Sequence, residues 1–319
     1  PGQLLGSQND MATIRLSGLD GAAIYFLPPD LVEKDGNLQD IYQLTMGTDD
    51  LTLTYHQMIE VAPDEGWYNE AAESLTIMDE ADLAAFQEKV NAGTGFSDKA
   101  ITLGADITLT ASFYTPIGTE ENPFRGTFTA GEKEEGGYYA ISGFHVESTE
   151  DGQALFGWVE NAVIENVTVS GSISGGSYVA GIAAHAAGST FTNCTNAAEL
   201  SGTTNVGGIA GAAEGCTFTN CINSGAVKGS TNTGGIAGNV PSGGEACAFT
   251  NSSNDGTVSG GTATGGIVGL ASGTATLEGC FNGQGGEVSA TGANCGGVAG
   301  RLAGSFTFED WYYAGKGAG

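Results

Sequence analysis

Val206-Gly207-Gly208-Ile209-Ala210-Gly211 decides how the rest of the chain is read, because versions of it return at fixed distances. Leu155, Ile182, Ile209, Ile236, Ile267 and Val298 share its isoleucine place, 27 residues apart as far as Ile236 and 31 apart after it. Other positions keep step. Ile164, Phe191, Phe218, Phe249 and Leu277 form a second apolar column; Val167, Cys194, Cys221, Ser252 and Cys280 form a third; Ile173, Leu200, Val227, Val258 and Val288 form a fourth. Asn166, Asn193, Asn220 and Asn251 align between them, as do Asn196, Asn223, Asn254 and Asn282.

A period of this length with several short apolar segments per copy is one turn of a solenoid built from short strands and bends. Helical repeats of similar length are excluded because the segments are short, rich in Thr, Val and Asn, and interrupted by Gly. The expected fold is all-β, a right-handed parallel β-helix. Equivalent residues then lie about 4.8 Å apart along the stack, so like side chains form ladders and the apolar columns become the core. Both Asn columns are expected at bends, where the amide tolerates left-handed backbone and hydrogen-bonds its counterpart in the next turn. Roughly eight turns would span on the order of 40 Å.

Composition agrees with this reading. The 319 residues include 54 glycines with no collagen-like triplet, as many regularly placed tight turns require. Against 37 acidic residues stand 9 basic ones, a net charge of -28 that disfavours nucleic acid and anionic membrane surfaces as partners. No apolar run approaches the roughly 18 residues of a membrane helix, so no membrane insertion is expected of this chain. It starts at Pro1 and stops at Gly319 within what reads as a repeat, and is expected to be a piece of a longer protein.

Upstream of the repeats, Asp79 with Asp82 forms a capping-box-like start, and Leu83, Phe86 and Val90 share a helical face before Gly93. Residues 79–91 are therefore expected as an amphipathic helix plugging the open end of the core. Residues 1–65 lack the repeat. There Ile41–Thr45, a Gly47–Asp50 turn and Leu51–Tyr55 read as a β-hairpin, part of a β-rich N-terminal segment or small domain, with the solenoid over residues 66–319 and its Gly-rich repeats over about 155–319.

Cys216-Thr217-Phe218-Thr219-Asn220-Cys221-Ile222-Asn223-Ser224-Gly225-Ala226-Val227, together with the Val206–Gly211 stretch, resembles the GLUG-type repeat of bacterial surface proteins. Leu103–Leu109, Thr115–Thr119, Phe124–Phe128 and Leu155–Gly157 resemble the segment that precedes such repeats in adhesin-like proteins and in the non-catalytic part of immunoglobulin A-cleaving metallopeptidases. The resemblance covers residues 67 to 314. It implies a β-helix and an extracellular or bacterial cell-surface location, and it brings no catalytic residue with it.

The residues themselves offer no catalytic, cofactor or metal site. The three histidines, His56, His145 and His185, form no H-E-x-x-H pair, and neither a G-x-S-x-G elbow nor a phosphate-binding G-x-x-x-x-G-K-[ST] loop occurs. A polysaccharide lyase or hydrolase needs converging carboxylates beside a cation. From residue 151 onward there are 11 acidic residues, no stacked acidic column, and only Lys228, Arg301 and Lys316 as bases. Cys194 and Cys221 are expected to be reduced and buried as small apolar residues, leaving Cys216 with Cys247 as the one disulfide candidate. Tyr138, Tyr139, Trp158 and Trp311-Tyr312-Tyr313 are aromatic contact candidates, with packing as the simpler role. The expected function is a non-catalytic adhesion or scaffold module that binds host glycans or extracellular proteins through repeated loops. The alternatives are a positioning arm of a larger secreted peptidase and, further off, a β-helical lyase or hydrolase.

Overall fold

The computed structural model describes residues 63–110, apart from 65, and 114–309, together with the backbone of strands Ile24–Phe26, Leu38–Met46, Leu51–Ile59 and Tyr312–Tyr313. Contacts divide the chain into two units, residues 1–62 with 110–113 and residues 63–109 with 114–319. In the first unit, Leu38–Met46 pairs antiparallel with Leu51–Ile59, from Met46↔Leu51 to Leu38↔Ile59, and Ile24–Phe26 joins the far side of Leu38–Met46. This is the expected hairpin, longer than its alternation suggested. The Gly47–Asp50 turn lies outside the described residues.

The second unit is a parallel β-solenoid with one helix. From Phe156 onward each turn passes through four sheets, named here by the residues they carry. Phe156–Glu160 begins the alanine sheet, which also holds Ala183–Ala187, Ala210–Glu214 and their equivalents up to Ala299–Leu302. The phenylalanine sheet follows, then the asparagine sheet around Thr195–Asn196 and Glu199–Ser201, then the glycine sheet from Val179–Ala180 to Cys295–Gly296. The phenylalanine sheet holds one strand from every turn, nine in all from Ser74–Ile77 to Phe306–Glu309, against the roughly eight turns expected.

Register confirms the columns. Leu75, Ile101, Phe128, Ile164, Phe191, Phe218, Phe249, Leu277 and Phe308 pair in succession, extending the second apolar column at both ends. Within it, Phe191, Phe218 and Phe249 stack with centroids 4.9 and 4.8 Å apart and planes within 4° and 5° of parallel. The centroid distances equal the spacing of neighbouring strands, so the parallel stack follows the strand register. The isoleucine column is fully buried from Leu155 to Ile267. Its two 31-residue intervals differ in origin. The first comes from one long corner, Pro241–Ala246, between the alanine and phenylalanine sheets. The second is the sum of small insertions at three corners, the largest at Gly283–Gly286.

The two Asn columns separate in the structure. Asn166, Asn193, Asn220 and Asn251 sit at the expected bend with φ of 61°, 53°, 53° and 50°, and Gly279 at φ 61° continues the series. Asn193 and Asn220 donate to the Oδ1 of the preceding Asn at 2.9 and 3.2 Å. By contrast, Asn196, Asn223, Asn254 and Asn282 lie in strands, without left-handed backbone, and are completely buried. Each Nδ2 of the first three donates to the Oδ1 of the next Asn, at 2.7, 2.6 and 2.6 Å, and to its own turn's carbonyl at Ala198, Gly225 or Gly256. Placing this second column at a left-handed bend was therefore incorrect: it is an internal amide ladder.

That ladder explains one letter of the glycine signature. A Cβ on Gly208 would lie 2.7 Å from Asn223 Oδ1 and 2.0 Å from Gly235 O. The other glycines let the glycine and alanine sheets press together backbone to backbone. A Cβ on Gly207 would meet Gly238 N at 2.6 Å, and one on Gly238 would meet Val206 N at 2.6 Å.

At the N-terminal end, the helix spans Glu80–Asn91, capped by Asp79. The Asp79 carboxylate accepts the Asp82 amide at 3.0 Å and the Asp82 carboxylate accepts the Met78 amide at 2.7 Å, a variant of the capping box in which the returning carboxylate reaches the residue before the N-cap. Phe86 is buried among Phe96, Phe124, Trp67 and Phe128, at centroid distances of 5.2 to 5.8 Å. The helix seats against the first turns of the core as expected.

All six cysteines are free thiols, including Cys216 and Cys247. Five are buried, yet they do more than fill apolar space. Cys194, Cys221 and Cys280 donate to carbonyls of the turn before, at Ile164, Phe191 and Phe249. Ser252, in the same column, donates to Phe218 O at 3.5 Å and accepts the Cys221 amide at 3.1 Å. The same exchange occurs at a second corner, where Ser189 Oγ accepts the Ala162 amide and Cys247 Sγ accepts the Cys216 amide at 3.3 Å. Serine and cysteine thus serve one purpose, bonding backbone groups that the ladder leaves over at a corner. Ser252→Cys is expected to keep stability within about 1 kcal/mol, whereas Ser252→Ala, which orphans the Cys221 amide, should cost about 1–3 kcal/mol. Paired chemical denaturation curves check this; equal loss in both variants would refute the shared role.

Candidate functional site

Most inward side chains of each turn belong to the core or the ladders, the buried Thr233 and Thr264 hydroxyls being left without a hydrogen-bond partner, and the outward rows are where a site is sought. Along the alanine sheet one such row reads Trp158, His185, Ala212, Asn239, Leu270 and Arg301, set in register from turn to turn. At its start the indole of Trp158 and the imidazole of His185 stack with centroids 4.3 Å apart and planes 5° from parallel. Tyr178, from the beginning of the glycine sheet, leans onto His185 at 4.4 Å and 47°. All three are partly exposed.

Local backbone explains how the third ring arrives there. Tyr178 occupies a left-handed corner with φ 60°, and its equivalents Asn205, Asn232, Ala263 and Asn294 are left-handed too. Asn suits that conformation; a bulky aromatic does not. The turn bends there sharply enough to swing the tyrosine ring from the glycine sheet onto the alanine sheet.

Carboxylates flank the rings. The segment Ile117–Phe124 lies under Phe156–Val159, bridged through Ile117↔Phe156 and Phe124↔Val159, and the bulge between those bridges carries exposed Glu120 and Glu121. Asp151 accepts the Ser177 amide, next to Tyr178, at 2.6 Å, and Gly152 approaches the edge of Trp158. Burial pushes the His185 imidazole below the ordinary histidine range, opposed by the negative charge of Glu120.

The remaining sequence candidates do not converge here. Tyr138 is exposed, while Tyr139 packs against the core with Lys133 Nζ 5.7 Å from its ring. His145 is exposed, 3.9 Å from Glu147 and 3.5 Å from Ser172 Oγ. Trp311 and the side chains of His56, Tyr312 and Tyr313 lie outside the described residues. Among the described residues no three His, Cys, Asp or Glu side chains are grouped to hold a metal ion, and no helix is long and apolar enough to cross a membrane. His185 and Tyr178 were not connected with Trp158 from sequence. The available signal was Tyr178, which stands where other turns place Asn or Ala.

No family model and no curated protein matches the chain. Solved structures similar to it include the following two. One is described as a "putative immunoglobulin A1 protease from Bacteroides ovatus": it is 19% identical with a TM-score of 0.54, and the match covers 75% of each chain. The other is described as an IgA1 protease: it is 11% identical with a TM-score of 0.49, and the match covers 92% of this chain and 25% of that one. The first shows a shared fold, in line with the resemblance in the sequence to the non-catalytic region of immunoglobulin A-cleaving peptidases.

Proposed function

We propose that this solenoid is a non-catalytic extracellular module of a bacterial surface or secreted protein, one that binds partners on its outer rows and holds them at fixed spacing. The observation that carries this reading is the commitment of the interior. The Asn196–Asn223–Asn254–Asn282 amides and the corner groups Ser189, Ser252, Cys194, Cys221, Cys247 and Cys280 are hydrogen-bonded along the stack, which favours the outer rows and loops as the working surface. Repeated display suits weak contacts that add through multivalency. The purified chain is expected to release no reducing ends, unsaturated sugars or new peptide termini from polysaccharide and protein substrates. Clustered on beads, it should bind host glycans or extracellular proteins far better than as a monomer. Product release in the first assay would sink the non-catalytic reading.

The shared fold with a structure described as a protease favours a second reading, in which the solenoid is a spacer for a peptidase. Clustered beads that capture nothing would leave that role standing.

A further inference from the structure

We infer that Trp158, Tyr178 and His185, with Glu120 and Asp151 beside them, form a subsite for an arginine or lysine side chain of a protein partner. Three observations lead there. First, Tyr178 departs from its column, which continues as Asn205, Asn232, Ala263 and Asn294, and it lands on the Trp158–His185 stack that heads an outward row continuing as Ala212, Asn239, Leu270 and Arg301. Three rings gathered at one spot, in a solenoid whose later turns place no aromatic ring in either row, are not required by the repeat.

Second, Tyr178 holds φ 60° where the following turns use Asn205 and Asn232 at 58° and 55°. Strain kept by a bulky side chain at a place where Asn fits is a mark of a functional position. Third, the surroundings are acidic. The strand order puts His185 on one face of the Trp158 indole and the Glu120 bulge toward the other. A cation lying between that second face and Glu120 would meet a π-system and a carboxylate together, the combination that recognises guanidinium and ammonium groups. Asp151 lies beside Tyr178 through its bond to the Ser177 amide, and the net charge of -28 draws cations from a distance. A neutral sugar would leave this charge complementarity unused, and the Trp158–His185 stack already occupies one of the two flat indole faces on which a sugar ring could lie.

The inference rests on the reading of the chain as a binding module. Its test uses fluorescently labelled peptides Gly-Arg-Gly-Arg-Gly and the same sequence with citrulline, the uncharged isostere, measured by anisotropy against the full chain. The key variant is Tyr178→Asn/His185→Ala, which installs the residues of the following turn and leaves the net charge at neutral pH unchanged. It is expected to melt no lower than the parent, because the strained tyrosine is gone. Arginine-peptide affinity should fall about tenfold in this variant and in Glu120→Gln, and the citrulline peptide should bind the parent about tenfold more weakly than the arginine peptide. Equal arginine-peptide affinity in parent and double variant would show attraction by diffuse charge and overturn the subsite, as would absence of arginine-peptide binding. Binding of a neutral oligosaccharide that is lost in the same double variant would reassign the rings to glycan. None of these outcomes touches the bead assay, which scores partners of any class.

Discussion

Ile209→Asp is expected to lower stability by at least about 3–5 kcal/mol, the penalty of an uncompensated buried charge. Ile209 is fully buried between Ile182 and Ile236, and its backbone amide already donates to Ile236 O, so a carboxylate there finds neither water nor its own amide. Ile209→Val, which removes one methylene from the same place, should cost only about 0.5–1.5 kcal/mol. Because each turn is stabilised by its neighbours, the damage should spread. Amide hydrogen exchange is expected to quicken in the strands around Ile182 and Ile236 as well as around Ile209. A variant that melts with the parent would mean that the isoleucine column is not core.

The second large effect is expected at the amide ladder. Asn223 receives the Nδ2 of Asn196 and gives its own to Asn254 Oδ1 and Gly225 O, with none of these groups open to water. Asn223→Leu removes both donor and acceptor and orphans its partners, for a loss of about 2–5 kcal/mol from two or more buried unpaired groups. Asn223→Asp is the more informative change. A carboxylate there accepts from Asn196 but faces two acceptors it cannot serve, and burial raises its pKa. A group whose folded pKa is raised binds more protons folded than unfolded, so stability falls as pH rises. Asn223→Asp should therefore lie closest to the parent in acid, where the protonated carboxyl donates in place of the amide, and furthest from it at neutral pH. Urea denaturation at both pH values measures this. A gap from the parent that does not change with pH would refute the ladder's donor requirement.

The turns were legible in the sequence because the repeat imposes itself on every level: one register brings isoleucine over isoleucine and phenylalanine over phenylalanine. The capping helix was legible for local reasons, since Asp79, Asp82 and the Leu83-Phe86-Val90 face lie within a dozen residues of one another. What escaped were distinctions between positions of identical composition. Asn193 and Asn196 are three residues apart and recur with the same period, yet one takes φ 53° at a bend and the other lies inside a strand. Only the path of the backbone separates them. Cysteine was read as an apolar filler because its bonding at corners is visible only when Ser252 and Ser189 are seen to perform the same service. The aromatic cluster was hidden for a third reason. Trp158, Tyr178 and His185 come from two successive turns and two different sheets, and their meeting depends on a left-handed corner that a tyrosine would not be expected to adopt.

The hydrogen bonds between turns, in the sheets and in the amide ladder alike, run along the axis of the stack. This gives the solenoid a mechanical character. Compression is borne by close-packed side chains such as the Phe191–Phe218–Phe249 column, which has nowhere to go. Tension along the same axis loads each interface between turns in series, so the weakest of them opens first and the others follow singly. The solenoid is a strut rather than a rope: stiff when pushed, and extensible one turn at a time when pulled.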